Sequence, residues 1–139
     1  MIIAESEEHK YCVQLSNGTA KITADVTKDK GGSGDYFRPH DLICAGYASC
    51  LNINVCMILE KKALKYERVI TTVDLNRDLA GRTIFLHHIE IIGDIDTAAK
   101  EAVIFEALNC PVQKTLSQNI EFQPALPLTM IQTAPSPGK

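Results

Sequence analysis

From Leu42 to Leu59 the chain reads "LICAGYASCLNINVCMIL", an unbroken run without a formal charge, bounded by Asp41 and Glu60. A transmembrane helix needs roughly 20 apolar residues, so the run is near that length. Gly46, Ser49, Asn52 and Asn54 dilute it, and unpaired amides in hydrocarbon are costly. The segment therefore reads as a buried core helix. Pro39 suits its first turn, Asp41 lies near the positive end of its dipole, and it ends near Lys62. At about 100° per residue its apolar side chains fall on every side. Ile43, Gly46 and Met57 cluster near Cys50, Ala48, Val55 and Leu59 lie behind it, and Leu42 and Ile53 occupy a flank. Such a helix must be covered all round. One small sheet in a short chain covers one side, which implies that a second subunit supplies the rest.

The chain has 139 residues, enough for one core and too few to invite division. Residues 1–123 are expected to form one domain, with a proline-rich tail over 124–139 that holds four of the six prolines and reads as extended or disordered. A net charge of -3 and a pI near 5.8 offer no broad positive field for phosphate backbones, which excludes nucleic acid as a partner class. The start, "MIIAESEEHK", has acidic residues where a secretory signal needs a basic then an apolar region. A cytoplasmic, reducing location without membrane attachment is the expectation.

Elsewhere, Tyr11, Val13 and Leu15 alternate with polar neighbours, as do Ala20, Ile22 and Ala24, and Asn17-Gly18 between them suits a tight hairpin turn. The stretch "KDKGGSGDYFRP" reads as a mobile loop able to fold over something, with Tyr36 and Phe37 either lining an apolar channel or anchoring the loop. "ERVITTVDL" and "RTIFLHHIEI" should pair as a second hairpin, and "TAAKEAVIFEALN" has helical spacing with Asp96 or Thr97 as its cap. Pro111 forces a break, a short helical turn and then "NIEFQ" as a last strand. The order gives an α+β fold with antiparallel pairing.

Five cysteines, an odd number without a C-x-x-C pair, argue against both a stapled secreted scaffold and a zinc ribbon. Six residues of helix turn about 240°, so Cys44, Cys50 and Cys56 lie on three faces and cannot form one metal site. Most free cysteines are small buried hydrophobes. Cys50 differs in having Gly46 one turn before it, where another backbone can approach, and Asn54 one turn after, able to present an amide to the sulfur. Cys110, directly before Pro111, should cap a helix whose amide hydrogens favour negative charge. His87 and His88 point to opposite faces of one strand, so one exposed and one hydrogen-bonded histidine is expected. His40 either pairs with Cys44 or faces solvent, and Ser49 has no accompanying His-Asp pattern for a hydrolase triad.

Taken together, "RPHDLICAGYASCLNINVCMILEKKAL" and "NCPVQKTLSQNIEF", with "LHHIEIIGDID" between them, resemble the OsmC/Ohr superfamily over roughly residues 36 to 123. That resemblance implies an antiparallel sheet with a long central helix in an intertwined homodimer, with two sites at the subunit interface. It implies a thiol-dependent peroxidase that reduces organic hydroperoxides without a metal or other cofactor. Cys50 would attack the peroxide, Cys110 would resolve the sulfenic acid as a disulfide, and a dithiol reductant, a lipoylated protein or a thioredoxin-like donor, would restore both. The hydroperoxide-resistance branch holds its thiolate with an arginine from the amino-terminal sheet or its loop, oriented by a glutamate ten residues before the cysteine. Here no arginine precedes Arg38, and the glutamate's place holds His40, with Asp41 next. A thiolate is required, and Cys50 lies too deep in its helix for the dipole to help, so a cation must. Arg38, oriented by Asp41, is the expected one, with Lys28 and Lys30 as the other choices. The missing arginine also motivates a second hypothesis, a noncatalytic dimer that binds an apolar small molecule or partner at its interface.

Overall fold

The computed structural model describes residues 1–125; most of the proline-rich tail, from residue 126 on, lies outside the described residues. The uncharged run forms the middle of helix α1 (Pro39–Lys61). Proline at the first helical position has its φ already set and needs no hydrogen bond from its nitrogen. Arg38 is the N-cap residue, and an arginine side chain has no acceptor to offer the first turn. The Asp41 carboxylate instead reaches back and accepts from the Arg38 backbone N–H at 2.8 Å, the half of a capping box that such a cap permits.

Before α1, strands β1 (Ile3–Ser6), β2 (Val13–Ser16) and β3 (Lys21–Ala24) make a three-stranded antiparallel sheet in that order. The β2–β3 hairpin follows the Asn17-Gly18 signal. Asn17 Oδ1 accepts from Thr19 N–H at 3.0 Å and Ala20 N–H at 2.8 Å, and Gly18 adopts φ 94°. Strand β1 was not expected from the sequence; all four of its residues are exposed, so no core-facing alternation marks it.

The glycine-rich segment after β3 is organised around Asp25 rather than free. Asp25 is buried, and its Oδ2 accepts from the backbone N–H groups of Ser33 and Gly34 and from the Ser33 hydroxyl. These bonds, the Ser33 hydroxyl first, hold its carboxyl below the usual range. Gly32 has no room for a Cβ, which would run into the Val26 carbonyl.

Strands β4 (Arg68–Asn76) and β5 (Ile84–Ile92) form the expected antiparallel hairpin, with Val69 opposite Ile91, Thr71 opposite Ile89 and Val73 opposite His87. Helices α2 (Thr97–Ala107) and α3 (Pro111–Leu116) follow. The side chain of Asp96 caps α2 by accepting from Ala99 N–H. One side of α1, made of Tyr47, Leu51, Val55, Ile58 and Leu59, packs with Ile89 and Ile91 of β5, Val103 and Ala107 of α2, and Cys110. Leu51 and Leu59 are completely buried, each contributing roughly 1.5–3 kcal/mol.

The expected last strand is not formed. Residues 119–123 make no ladder, and Ile120 and Phe122 are 55% and 94% exposed. Alternation alone does not make a strand; a free edge must accept it, and among the described residues none does. The other side of α1 is also open, with Ile43, Ile53 and Met57 at 44%, 54% and 62% exposure. Among the described residues, the chain thus covers one side of a helix that is apolar on all of them.

Candidate active site

The long helix presents its three cysteines to three environments, as their spacing requires. Cys44 faces the amino-terminal end, where a cavity of about 910 Å³ is walled by Arg38, Asp41, Cys44, Asp74 and Arg77 among others. Cys56 lies towards Tyr66, and its Sγ is 3.8 Å from Asn52 Oδ1. Hydrogen bonding with Cys56 is the main cause that pushes the Tyr66 phenol up to about 12. Cys50, half-buried, packs against the core cluster that contains Cys110.

Cys110 is the N-cap residue of α3, and its Sγ accepts from Gln113 N–H at 3.5 Å. The Cys-Pro pair produces this placement: proline starts the helix and the preceding residue is left in extended backbone with φ -78° and ψ 156°. The thiol is 0% exposed. Burial is the largest influence and pushes it up, the Gln113 amide opposes this, and the neighbouring Cys50 thiol raises it further. Both cysteines are free.

Two amides of α1 fix this geometry. Asn54 Nδ2 donates to the Ala107 carbonyl at 3.0 Å, tying α1 to the end of α2 just before Cys110. Its amide is therefore spent on the backbone rather than presented to the Cys50 sulfur, as the sequence had suggested; an open carbonyl at a helix end is the stronger acceptor. Asn52 Nδ2 donates to the Val69 carbonyl at 3.0 Å and to Thr71 Oγ1 at 3.2 Å, pinning α1 to β4.

Arg38 and Asp41 come together with each other, through Nε to Oδ2 at 2.9 Å and a terminal nitrogen to Oδ1 at 2.6 Å. The guanidinium holds the Asp41 carboxyl below the usual range, and the carboxylate raises the guanidinium. Their neighbouring thiol is Cys44, which burial pushes up. Twelve residues of helix separate Arg38 from Cys50, roughly 18 Å along the axis. Within one chain, then, the four residues form two pairs, Arg38 with Asp41 and Cys50 with Cys110.

A further residue, not marked by any motif in the sequence, joins the second pair. Tyr47 is one turn before Cys50 on α1 and 4% exposed. Its hydroxyl lies 3.4 Å from His87 Nδ1, and its ring meets those of Phe85 and His87 edge-on at 5.6 Å and 6.0 Å. Burial raises the Tyr47 phenol first, and the Cys110 and Cys50 thiols raise it further. The signal lay in parity: His87 shares its face of β5 with Phe85, Ile89 and Ile91. His88, on the opposite face, is exposed, and so is His87, whose ring meets Tyr47 at the edge of the core.

A family model described as OsmC-like protein matches residues 32–125. Three similar solved structures illustrate the fold. The organic hydroperoxide resistance protein OsmC of Legionella pneumophila is 22% identical, with 86% of this chain and 89% of that one covered and a TM-score of 0.62. An OsmC-like protein from Mycoplasma pneumoniae is 19% identical over 84% and 85%, with a TM-score of 0.68. The organic hydroperoxide resistance protein OhrB of Bacillus subtilis is 17% identical over 86% and 90%, with a TM-score of 0.58. Comparison with curated proteins returns no match. With two cysteine segments in order on an α+β frame of small antiparallel sheets and helices, and the family model matched across the greater part of its length, the chain belongs to the OsmC-like protein family.

Proposed function

We propose that this protein is a cytoplasmic thiol-dependent peroxidase that reduces organic hydroperoxides as a homodimer. Cys50 attacks the peroxide oxygen, Cys110 resolves the resulting sulfenic acid, and a dithiol of the lipoylated or thioredoxin-like class restores both thiols. The observation that carries this reading is the Cys50–Cys110 pair, two free thiols brought together across some 60 residues of sequence, one of them at a helix cap. The names of the Legionella and Bacillus structures point to the same substrate class. The open stripe of α1, with Ile53 and Met57 exposed beside Cys50, is the surface a second copy would cover. Arg38, oriented by Asp41, is the cation this reading assigns to the thiolate. Since the two lie roughly 18 Å apart along one helix, the assignment needs the association of two chains to bring them together.

That same separation favours a second reading, a noncatalytic dimer that binds an apolar small molecule or partner at the interface. Reduced protein mixed with cumene hydroperoxide and dihydrolipoamide separates the two. The peroxidase turns over and its Cys50→Ser variant does not; equal rates in both proteins reject the peroxidase. A binding module shows negligible turnover and a ligand-induced rise in Tm that persists in Cys50→Ser.

A further inference from the structure

We propose that the Tyr47 hydroxyl, oriented by His87, carries the proton that must move when Cys110 and Cys50 form their disulfide. The inference deepens the peroxidase reading and rests on it. Attack of the Cys50 thiolate on a hydroperoxide breaks the O–O bond, leaves a sulfenic acid on Cys50 and, after the alkoxide takes up a proton, releases an alcohol. In the following step the Cys110 sulfur attacks the Cys50 sulfur. An S–S bond forms, the S–O bond of the sulfenic acid and the S–H bond of Cys110 break, and one water leaves. The sulfenic acid is the oxidant and the Cys110 thiol the reductant, so no outside electron acceptor is needed. The proton of Cys110 must therefore reach the departing oxygen on Cys50.

The surroundings of Cys110 leave few carriers for it. Its thiol is 0% exposed, so bulk water does not reach it, and the amide at its sulfur, Gln113 N–H, is a donor only. Tyr47 belongs to the same buried cluster as Cys110 and shares a helix face with Cys50 one turn away. A phenolic hydroxyl both gives and accepts a proton. It can take the proton of Cys110 as it passes its own to the leaving oxygen. That both thiols raise the Tyr47 phenol agrees with this proximity. His87 acts through Tyr47 and is a positioning residue: its Nδ1 lies 3.4 Å from the hydroxyl, from a strand whose opposing residue is the neutral Val73. A buried hydroxyl with a fixed partner keeps one orientation, which a ring held by packing alone does not require.

The test is a single turnover of reduced protein with excess tert-butyl hydroperoxide. Rapid quenching follows sulfenic acid by dimedone trapping and the disulfide by mass spectrometry. Tyr47→Phe keeps the ring and removes the hydroxyl. The proposal expects its disulfide-forming phase to slow by about 100-fold, with trapped sulfenic acid accumulating on Cys50. His87→Ala, a change at the surface, should slow the same phase, and His87→Gln, which restores a polar partner, should recover part of the loss. A Tyr47→Phe protein that closes its disulfide as fast as the wild type overturns the relay, as does a His87→Ala protein that does so should Tyr47→Phe fail to fold. Wild-type protein inert to the peroxide overturns the peroxidase reading and this inference with it. The two failures are thereby distinguished.

Discussion

Cys50 on the long helix faces Cys110 at the cap of α3, and the second thiol is sealed from solvent while the first is half-buried. Mild oxidation should therefore join these two and spare Cys12, Cys44 and Cys56. Peptide mapping after diamide and alkylation checks this. The cross-link closes a loop of some 60 residues, so the oxidised protein should also be more stable, by up to about 4 kcal/mol.

The placement of Cys110 depends on Asn54, whose amide holds the Ala107 carbonyl. Asn54→Ala leaves that carbonyl without its partner, at a cost of roughly 1–3 kcal/mol in urea unfolding. The same variant should form the Cys50–Cys110 disulfide more slowly, because α2 and α3 are no longer tied to α1.

Much of this arrangement was legible in the residues, and the exceptions share a cause. Pro39 and the charges flanking the apolar run located α1, and Cys110-Pro111 located the α3 cap, because proline acts on its own backbone and neighbour whatever the tertiary context. The Asn17-Gly18 turn is equally local. What the sequence did not reveal depends on partners distant in the chain. Strand β1 exists because β2 offers an edge, and "NIEFQ" stays unpaired because nothing among the described residues does. Helical spacing places Asn54 beside Cys50, while its partner, the Ala107 carbonyl, is 53 residues away. The Tyr47–His87 contact likewise crosses from helix to sheet, 40 residues apart.

Asp41 should give the stability curve a distinct acid limb. Its carboxyl titrates below its ordinary value of 3.8 in the folded chain because Arg38 holds it. The contribution is therefore fully present above the unfolded value and is lost as pH falls through the folded one. Asp41→Ala should lower stability at pH 7 by on the order of 1 kcal/mol through loss of the helix-start contacts. Its stability should also fall less steeply below pH 4 than that of the wild type. Urea titrations across pH 2–7 measure both.

The uncovered stripe of α1 predicts self-association. Ile53 and Met57 are 54% and 62% exposed on a helix with no charge between Leu42 and Leu59. Sedimentation velocity should find a dimer, and Ile53→Asp with Met57→Asp should yield a monomer with far-UV circular dichroism like that of the wild type. A monomeric wild type would remove the proposed second copy.

The central claim, that Cys50 is the sulfur that meets the peroxide, is tested most directly by site-resolved trapping in Cys110→Ser. With the Cys110 thiol gone, one equivalent of cumene hydroperoxide followed by dimedone should leave a single adduct on Cys50, seen by peptide mass spectrometry. An adduct on Cys44, Cys12 or Cys56 instead, or no adduct at all from a folded protein, would contradict the account.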